Sequence, residues 1–343
     1  MNFRRNSVRV LIVDDCPIAR NFISELLAEK SGIQVIGEAV NGEEGVKQAL
    51  LLRPDLIIMD LEMPEMNGLE AIEIIMQANP TPILVVTSYG NARLAYEAVS
   101  RGALEVIEKP SIDSEHCLQF IHKLKLLAGV KVIRHIKGKI AQLRQGGGAM
   151  ETQLPRSLKA VAIASSLGGA KVLETILSQL ADDFPVPIVI AQHISEGFAE
   201  ALADWLNHKT PLEVKVAAEG QPLIPGKVLI IPPEYNVRVG INGNIKLLPY
   251  LPDDIYHPSC DMLLSSVAHV YRAGAVGIIL TGMGQDGVEG MQAIKAAGGV
   301  TIAQNKETSL IYNMPRIAIE RGLADFIVPA NEISSILTKV AVL

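Results

Sequence analysis

VRVLIVDD, residues 8–15, is a short apolar run that stops abruptly at two carboxylates, Asp14 and Asp15. DLIIMD ends the same way at Asp60, and VIEKP places Lys109 and Pro110 after a further run. Between Val8 and about Leu127 the runs VRVLIV, QVIGEA, LIIM, ILVV and EVIE alternate with helix-like stretches that begin near Pro17, Glu43, Gly68, Asn91 and Ser114. Such βα alternation predicts an α/β fold with a doubly wound, five-stranded parallel sheet. Sheets of this kind collect ligands outside the carboxyl ends of their strands, so the acids and the lysine are expected in one crevice.

The residue types suit phosphoryl chemistry. Mg²⁺ takes oxygen ligands and keeps several waters. Asp15 and Asp60 are read as direct ligands, Asp14 as a ligand through water, and the Glu62 carbonyl as a further contributor. With phosphate charge neutralised, the Asp60 carboxylate can attack phosphorus and become an acyl phosphate. Lys109 offers a cation and Thr87 a hydroxyl to the phosphoryl oxygens. One strand-end aspartate reads as a solvated turn residue; the ordered set Asp-Asp, Asp, Thr, Lys-Pro is what points to a site.

At 343 residues the chain exceeds the usual single-domain range, and two domains are expected. Aromatics are 4% against 49% hydrophobic residues, which predicts aliphatic cores built on buried parallel strands. A net charge of −6 gives no basis for nucleic-acid binding. Cys16, Cys117 and Cys260 are scattered, with neither a disulfide framework nor metal-ligand spacing. The N-terminus lacks a signal-peptide core, and no apolar stretch reaches the ~18 residues of a membrane span. A soluble, cytoplasmic protein without membrane insertion is therefore expected.

The alternation fails over residues 128–157. KVIRHIKGKIAQLR has five Lys or Arg and no acid, and a Gly- and Pro-containing stretch follows; this reads as an exposed linker. From Leu158 the runs KAVAIA, PIVIAQ, KVLIIP, VGIIL, GVTIAQ and DFIVP resume. Asn242-Gly243 between two short apolar runs signals a hairpin, because both turn residues tolerate positive φ. The second domain, residues 158–343, is thus expected to be a three-layer, mostly parallel α/β fold with a β-hairpin. It ends in a helix with Asn331 as N-cap.

In KAVAIASSLGGAKVLETIL a strand runs through a tight turn into a helix, and Ala164-Ser165-Ser166-Leu167-Gly168 approximates the G-x-S-x-G nucleophile elbow. Ser166 is the candidate nucleophile, and backbone N–H groups near Leu167, Met283 and Gly284 are candidate oxyanion donors. His193 follows PIVIAQ and Asp286 follows VGIIL, so a base and its orienting carboxylate fall at neighbouring strand ends. From the residues alone two readings stay open: the serines can be turn or capping residues, and Asp286 can cap the helix that follows it.

Residues 8–127, with MDLEMPEMNGLE after the third strand, resemble the receiver domains of two-component response regulators, which are flavodoxin-like. The resemblance implies phosphate transfer from a chemotaxis histidine kinase to Asp60; the common aromatic switch position holds Val106. The region from residue 158 onward is similar to the catalytic domain of the chemotaxis protein-glutamate methylesterases, the CheB family, through LTGMGQDG, QHISEGFAEALADWLN, HPSCDMLL and NMPRIAI. That likeness implies a Ser166–His193–Asp286 triad and hydrolysis, without a cofactor, of glutamate γ-methyl esters on methyl-accepting chemotaxis receptors. It also implies recruitment to receptor clusters and obstruction of the esterase cleft by the unphosphorylated receiver. Receptor glutamine deamidation is left open. Ala164, Leu167 and His257 depart from the family pattern. They motivate two alternatives: a phosphorylation-regulated interaction protein with a weak or inactive hydrolase-like domain, and an esterase for another substrate.

Overall fold

The computed structural model describes residues 7–28, 32–88, 92–110, 114–130, 132, 158–251 and 254–341. The expected linker, residues 128–157, lies almost wholly outside the described residues. The chain forms two compact units, residues 1–146 and 147–343.

In the first unit the strands are β1 (Val8–Val13), β2 (Ile33–Ala39), β3 (Leu56–Met59), β4 (Ile83–Thr87) and β5 (Glu105–Glu108). They alternate with α1 (Pro17–Ala28), α2 (Gly42–Leu52), α3 (Gly68–Ala78), α4 (Ala92–Arg101) and α5 (Ser114–Ala128). The sheet order is β2-β1-β3-β4-β5, and each pairing is parallel. Strand order reverses between β1 and β3, so Asp14, Asp15 and Asp60 fall at the switch point, where such sheets bind ligands. Asn67 starts α3 with a capping box: its side chain accepts from the Glu70 N–H while the Glu70 carboxylate accepts from the Asn67 N–H. This cap fixes the direction in which the chain leaves the Asp60 loop.

The second unit runs β6 (Ala160–Ser165), α6 (Gly169–Leu177), β7 (Ile188–Gln192), α7 (Ala199–Lys209), β8 (Glu213–Val216), β9 (Lys227–Ile230), β10 (Asn236–Val239) and β11 (Ile245–Leu248). It continues with α8 (Cys260–Tyr271), β12 (Ala275–Ile279), α9 (Val288–Ala296), β13 (Val300–Gln304), α10 (Met314–Glu320), β14 (Phe326–Val328) and α11 (Ala330–Ala341). Seven strands form one parallel sheet, β14-β13-β12-β6-β7-β9-β8, and β10 and β11 form a separate antiparallel hairpin. The central strand β6 is buried along its whole length. Ala160, Ala162 and Ala164 share a core with the hairpin residues Val237, Val239 and Ile245 and with Leu263, Leu264 and Val267 of α8. Val161 and Ile163, which alternation turns to the other face, are equally buried. Burial on both faces explains why the strand reads as an unbroken apolar run. No helix among the described residues is long and apolar enough to cross a membrane.

Three details differ from the sequence expectations. The hairpin forms, but Gly243 alone takes positive φ (75°) while Asn242 does not. The Gly243 N–H bonds to the Gly240 carbonyl and the Gly240 N–H to that of Asn244. This is a three-residue loop with glycine at its left-handed corner rather than a two-residue turn. β8 (EVKV) escapes a search for apolar runs because it is an edge strand, with Lys215 exposed. Finally, Asn331 lies inside the first turn of α11 and does not cap it. The helix begins earlier, where the Ala330 N–H donates to the Thr308 hydroxyl.

The two asparagines therefore separate by experiment. Asn67→Ala is expected to cost about 1 kcal/mol of stability in the first unit, whereas exposed Asn331→Ala should change stability by less than about 0.5 kcal/mol. Chemical denaturation followed by circular dichroism reads both.

Candidate active site

In the first unit, Asp14, Asp15 and Asp60 bring carboxylate oxygens within 4.8 Å of one another. Lys109 reaches across from β5, with Nζ 2.7 Å from Asp14 Oδ2 and 2.7 Å from Asp60 Oδ2. The other Asp60 oxygen accepts from the Leu61 N–H at 2.7 Å. Burial pushes the Asp60 pKa up; the Lys109 hydrogen bond opposes this, and the Asp14 charge adds to the rise. Burial alone would lower Lys109, but bonds to Asp14 and Asp60 hold its pKa above the ordinary lysine value.

Three carboxylates against one ammonium leave excess negative charge, and an all-oxygen donor set of this kind fits Mg²⁺. The Thr87 hydroxyl is fully buried and has no hydrogen-bond partner among the described residues. It therefore has a donor available for an oxyanion held at Asp60. Glu62 lines an open cleft of about 420 Å³ with Asp15, Leu61 and Met63. Val106 is buried within β5.

In the second unit the adjacent strands β12, β6 and β7 deliver Asp286, Ser166 and His193 from their carboxyl ends. His193 Nδ1 lies 3.2 Å from Ser166 Oγ, and Nε2 lies 2.9 Å from Asp286 Oδ2. Assigning the imidazole proton to Nε2 satisfies both contacts: Nε2–H donates to Asp286, and Nδ1 accepts from the serine hydroxyl. The ring is thus used the other way round from the serine-protease template, in which Nε2 faces the nucleophile. Ser165, by contrast, is fully buried, and its hydroxyl has no partner among the described residues. The histidine reaches Ser166 and not its neighbour.

Asp286 does not serve α9 with a side-chain cap; α9 starts at Gly287 without one. Its carboxylate sits instead at the N-terminus of α8. There it accepts from the Cys260 N–H at 2.6 Å, the Asp261 N–H at 2.9 Å and the Gly287 N–H at 3.1 Å. Burial works to raise the Asp286 pKa, but the His193 and backbone donors outweigh it and hold the group below the usual carboxylate range. Next to it, burial and the Asp286 charge push Asp261 up to about 6, against hydrogen bonds that lower it.

Several contributors were not anticipated from the sequence. Gln192 donates to the main-chain carbonyls of both Ser166 (2.8 Å) and His193 (3.1 Å), tying the two residues to one amide. Tyr256 stacks on the His193 ring with centroids 5.3 Å apart and planes 8° from parallel. Cys260 Sγ lies 3.4 Å from His193 Nε2. Only Gln192 carried a usable sequence signal, its place immediately before His193.

The loop after β12 packs against Ser166. The Ser166 N–H donates to the Thr281 carbonyl at 3.1 Å. A Cβ at Gly282 would lie 2.6 Å from Ser166 Cβ and 2.2 Å from Met314 Sδ. The N–H groups of Leu167, Met283 and Gly284 have no hydrogen-bond acceptor among the described residues, which leaves them available to an oxyanion.

Comparison with known proteins identifies the family of both units. The CheB methylesterase family model matches residues 161–337, and the response regulator receiver domain model matches residues 10–122. The chain belongs to the CheB methylesterase family. It is 41% identical to protein-glutamate methylesterase/protein-glutamine glutaminase 3 of Paramagnetospirillum magneticum, over 98% of this chain and 97% of that protein. To the enzyme numbered 2 of Anaeromyxobacter dehalogenans it is 40% identical, over 95% of each. The crystal structure of the Thermotoga maritima CheB methylesterase catalytic domain covers 54% of this chain and 99% of that one, at 37% identity and a TM-score of 0.51.

For a CheB methylesterase built this way, Gly282→Ala must displace Met314, the loop itself or Ser166. Because misplacing a reacting atom by about 1 Å can cost about 100-fold, ester hydrolysis by this variant is expected to fall by one to two orders of magnitude. Phosphorylation of Asp60 should be unchanged. Steady-state rates and phosphodonor labelling of the same preparation check both.

Proposed function

We propose that this chain is a phosphorylation-regulated protein-glutamate methylesterase. It hydrolyses glutamate γ-methyl esters on methyl-accepting chemotaxis receptors and acts at receptor clusters on their cytoplasmic side. The observation that carries this reading is the unbroken hydrogen-bonded chain Ser166–His193–Asp286 in a protein whose relatives match both of its units end to end.

Ser166 Oγ attacks the ester carbonyl while His193 Nδ1 takes its proton, and the resulting imidazolium is stabilised through Nε2–H by Asp286. The tetrahedral oxyanion accepts from backbone N–H groups among Leu167, Met283 and Gly284. Nδ1 returns its proton to the departing methoxide, methanol leaves, and a glutamyl-enzyme ester remains. Water then attacks with His193 as base, releasing glutamate and restoring the Ser166 hydroxyl. The same sequence acting on a γ-amide releases ammonia, so receptor glutamine is a second substrate, as the relatives' names state for those proteins. Protein groups alone supply this hydrolysis.

In the receiver, Asp60 accepts phosphate from a histidine kinase. Asp14, Asp15 and Asp60, with the Glu62 carbonyl, would hold Mg²⁺, which when bound would supply neutralisation of the phosphate charge there. Lys109 and the Thr87 hydroxyl then engage the phosphoryl oxygens. With valine at 106, the switch has no aromatic side chain at that position. Phosphorylation activates only to the extent that it favours the active arrangement over the inactive one. The inactive-hydrolase alternative gains no support: Leu167 is buried, and His257 stacks on Tyr250 at 3.7 Å. The serine-to-histidine contact remains at 3.2 Å.

Ser166→Ala is expected to reduce receptor ester hydrolysis by a factor on the order of 10⁶, and Ser165→Ala far less; exchanged phenotypes would reject the assignment. Asp60→Asn should take up no phosphate from acetyl phosphate and Mg²⁺, as judged by intact mass. It should keep the basal esterase rate and lose its stimulation. Labelling at the wild-type level in this variant would place the phosphoacceptor elsewhere.

A further inference from the structure

We propose that His193 Nε2, Asp286 Oδ2 and Cys260 Sγ form a binding site for a thiophilic divalent cation, with Zn²⁺ as the reference ion, whose occupation switches the esterase off. The three residues come from after β7, from after β12 and from the start of α8, and their ligand atoms lie within 4.8 Å of one another. Nε2 is 2.9 Å from Oδ2 and 3.4 Å from Sγ. Tetrahedral Zn²⁺ with bonds of about 2.0 Å to nitrogen and oxygen and about 2.3 Å to sulfur sets neighbouring donors roughly 3.3–3.6 Å apart. The two separations from Nε2 are therefore within a few tenths of an ångström of those an ion needs, and Sγ and Oδ2 lie within 4.8 Å of each other. Thiolate, imidazole and carboxylate are the donors that zinc sites use, and the sulfur sets this cluster apart from the oxygen-only Asp14/Asp15/Asp60 set. Asp286 and Cys260 are buried, but the His193 side chain is 15% exposed. That gives the ion an approach from solvent.

Proton balance makes the ion inhibitory. In the metal-free site the thiol carries its proton and the neutral imidazole is protonated at Nε2. On binding, the Cys260 proton goes to solvent and the imidazole proton moves from Nε2 to Nδ1, leaving Nε2 as the metal ligand. Nδ1–H then donates to Ser166 Oγ and cannot accept its proton. The inhibition rests on the proposed role of His193 as base; the binding does not.

The test uses the full-length protein, reduced and anaerobic, with Mg²⁺ in excess to fill the receiver. Titration with Co²⁺ as a spectroscopic stand-in is expected to give near-ultraviolet thiolate-to-metal absorption saturating at about one equivalent, as a tetrahedral site of this donor set requires, and abolished by Zn²⁺. The band should be lost in Cys260→Ala, in the better-filled Cys260→Val and in His193→Gln, and kept in Cys16→Ala and Cys117→Ala. No thiolate band in the wild type, or one that survives in both Cys260 variants, overturns the site. In parallel, Zn²⁺ should suppress receptor ester hydrolysis by the phosphorylated protein, with recovery on adding a zinc-selective chelator. Relative to its own metal-free rate, Cys260→Val should need at least tenfold more Zn²⁺. Equal sensitivity of wild type and variant overturns the inhibitory role. A preparation without esterase activity still answers the binding question through the cobalt band.

Discussion

The carboxylate of Asp286 is only 2% exposed, and an ionised group so far from water survives only where donors replace its hydration. Here the N–H groups of Cys260, Asp261 and Gly287 and the imidazole Nε2–H do so. Two of those amides open α8, so the positive end of the helix adds to the field that keeps the group charged. With Asp286 fixed, the plane and tautomer of His193 follow, and its Nδ1 is left facing Ser166. The orientation of His193 toward Ser166 is thus set by a helix start far along the chain from that serine.

Both units exploit the same geometric rule. Parallel strands bring their carboxyl ends to one edge, so residues just past different strands meet there. What they bring differs. The first unit gathers hard oxygen donors around Lys109, leaving negative charge to attract a divalent cation. The second gathers a hydroxyl, an imidazole, a single buried carboxylate and a thiol, a set suited to moving a proton and, through its sulfur, to a softer metal. The difference lies in a few side chains and not in the architecture.

The departures from the family pattern sit beside the proton relay and leave it joined. Ala164 belongs to β6, with its Cβ 2.8 Å from where a Cβ at Gly287 would lie. It therefore packs under the Asp286 loop. Leu167 is buried next to the nucleophile and lends its carbonyl to the Thr281 hydroxyl at 3.0 Å. His257 stacks on Tyr250. Gln192 holds the backbone of Ser166 and His193 together.

Local pattern alone determined which runs become buried parallel strands, and hence that Asp14, Asp15, Asp60, Lys109, Ser166, His193 and Asp286 stand at strand ends. A strand covered on both faces must be continuously apolar, and a residue just beyond it must be at the edge; both facts are written in consecutive residues. β8 was not legible because an edge strand keeps a charged face, and Asn331 misled because a cap is defined by where the preceding backbone turns. The sequence could not say which imidazole nitrogen meets the serine, that α8 cradles Asp286, or that Cys260 touches His193. Those contacts join residues separated by 67 positions for Cys260 and His193 and by 93 for His193 and Asp286. They exist only because β12, β6 and β7 lie side by side. Strand order is set by how crossover helices pack the whole sheet, a property of the closed fold and not of any one run.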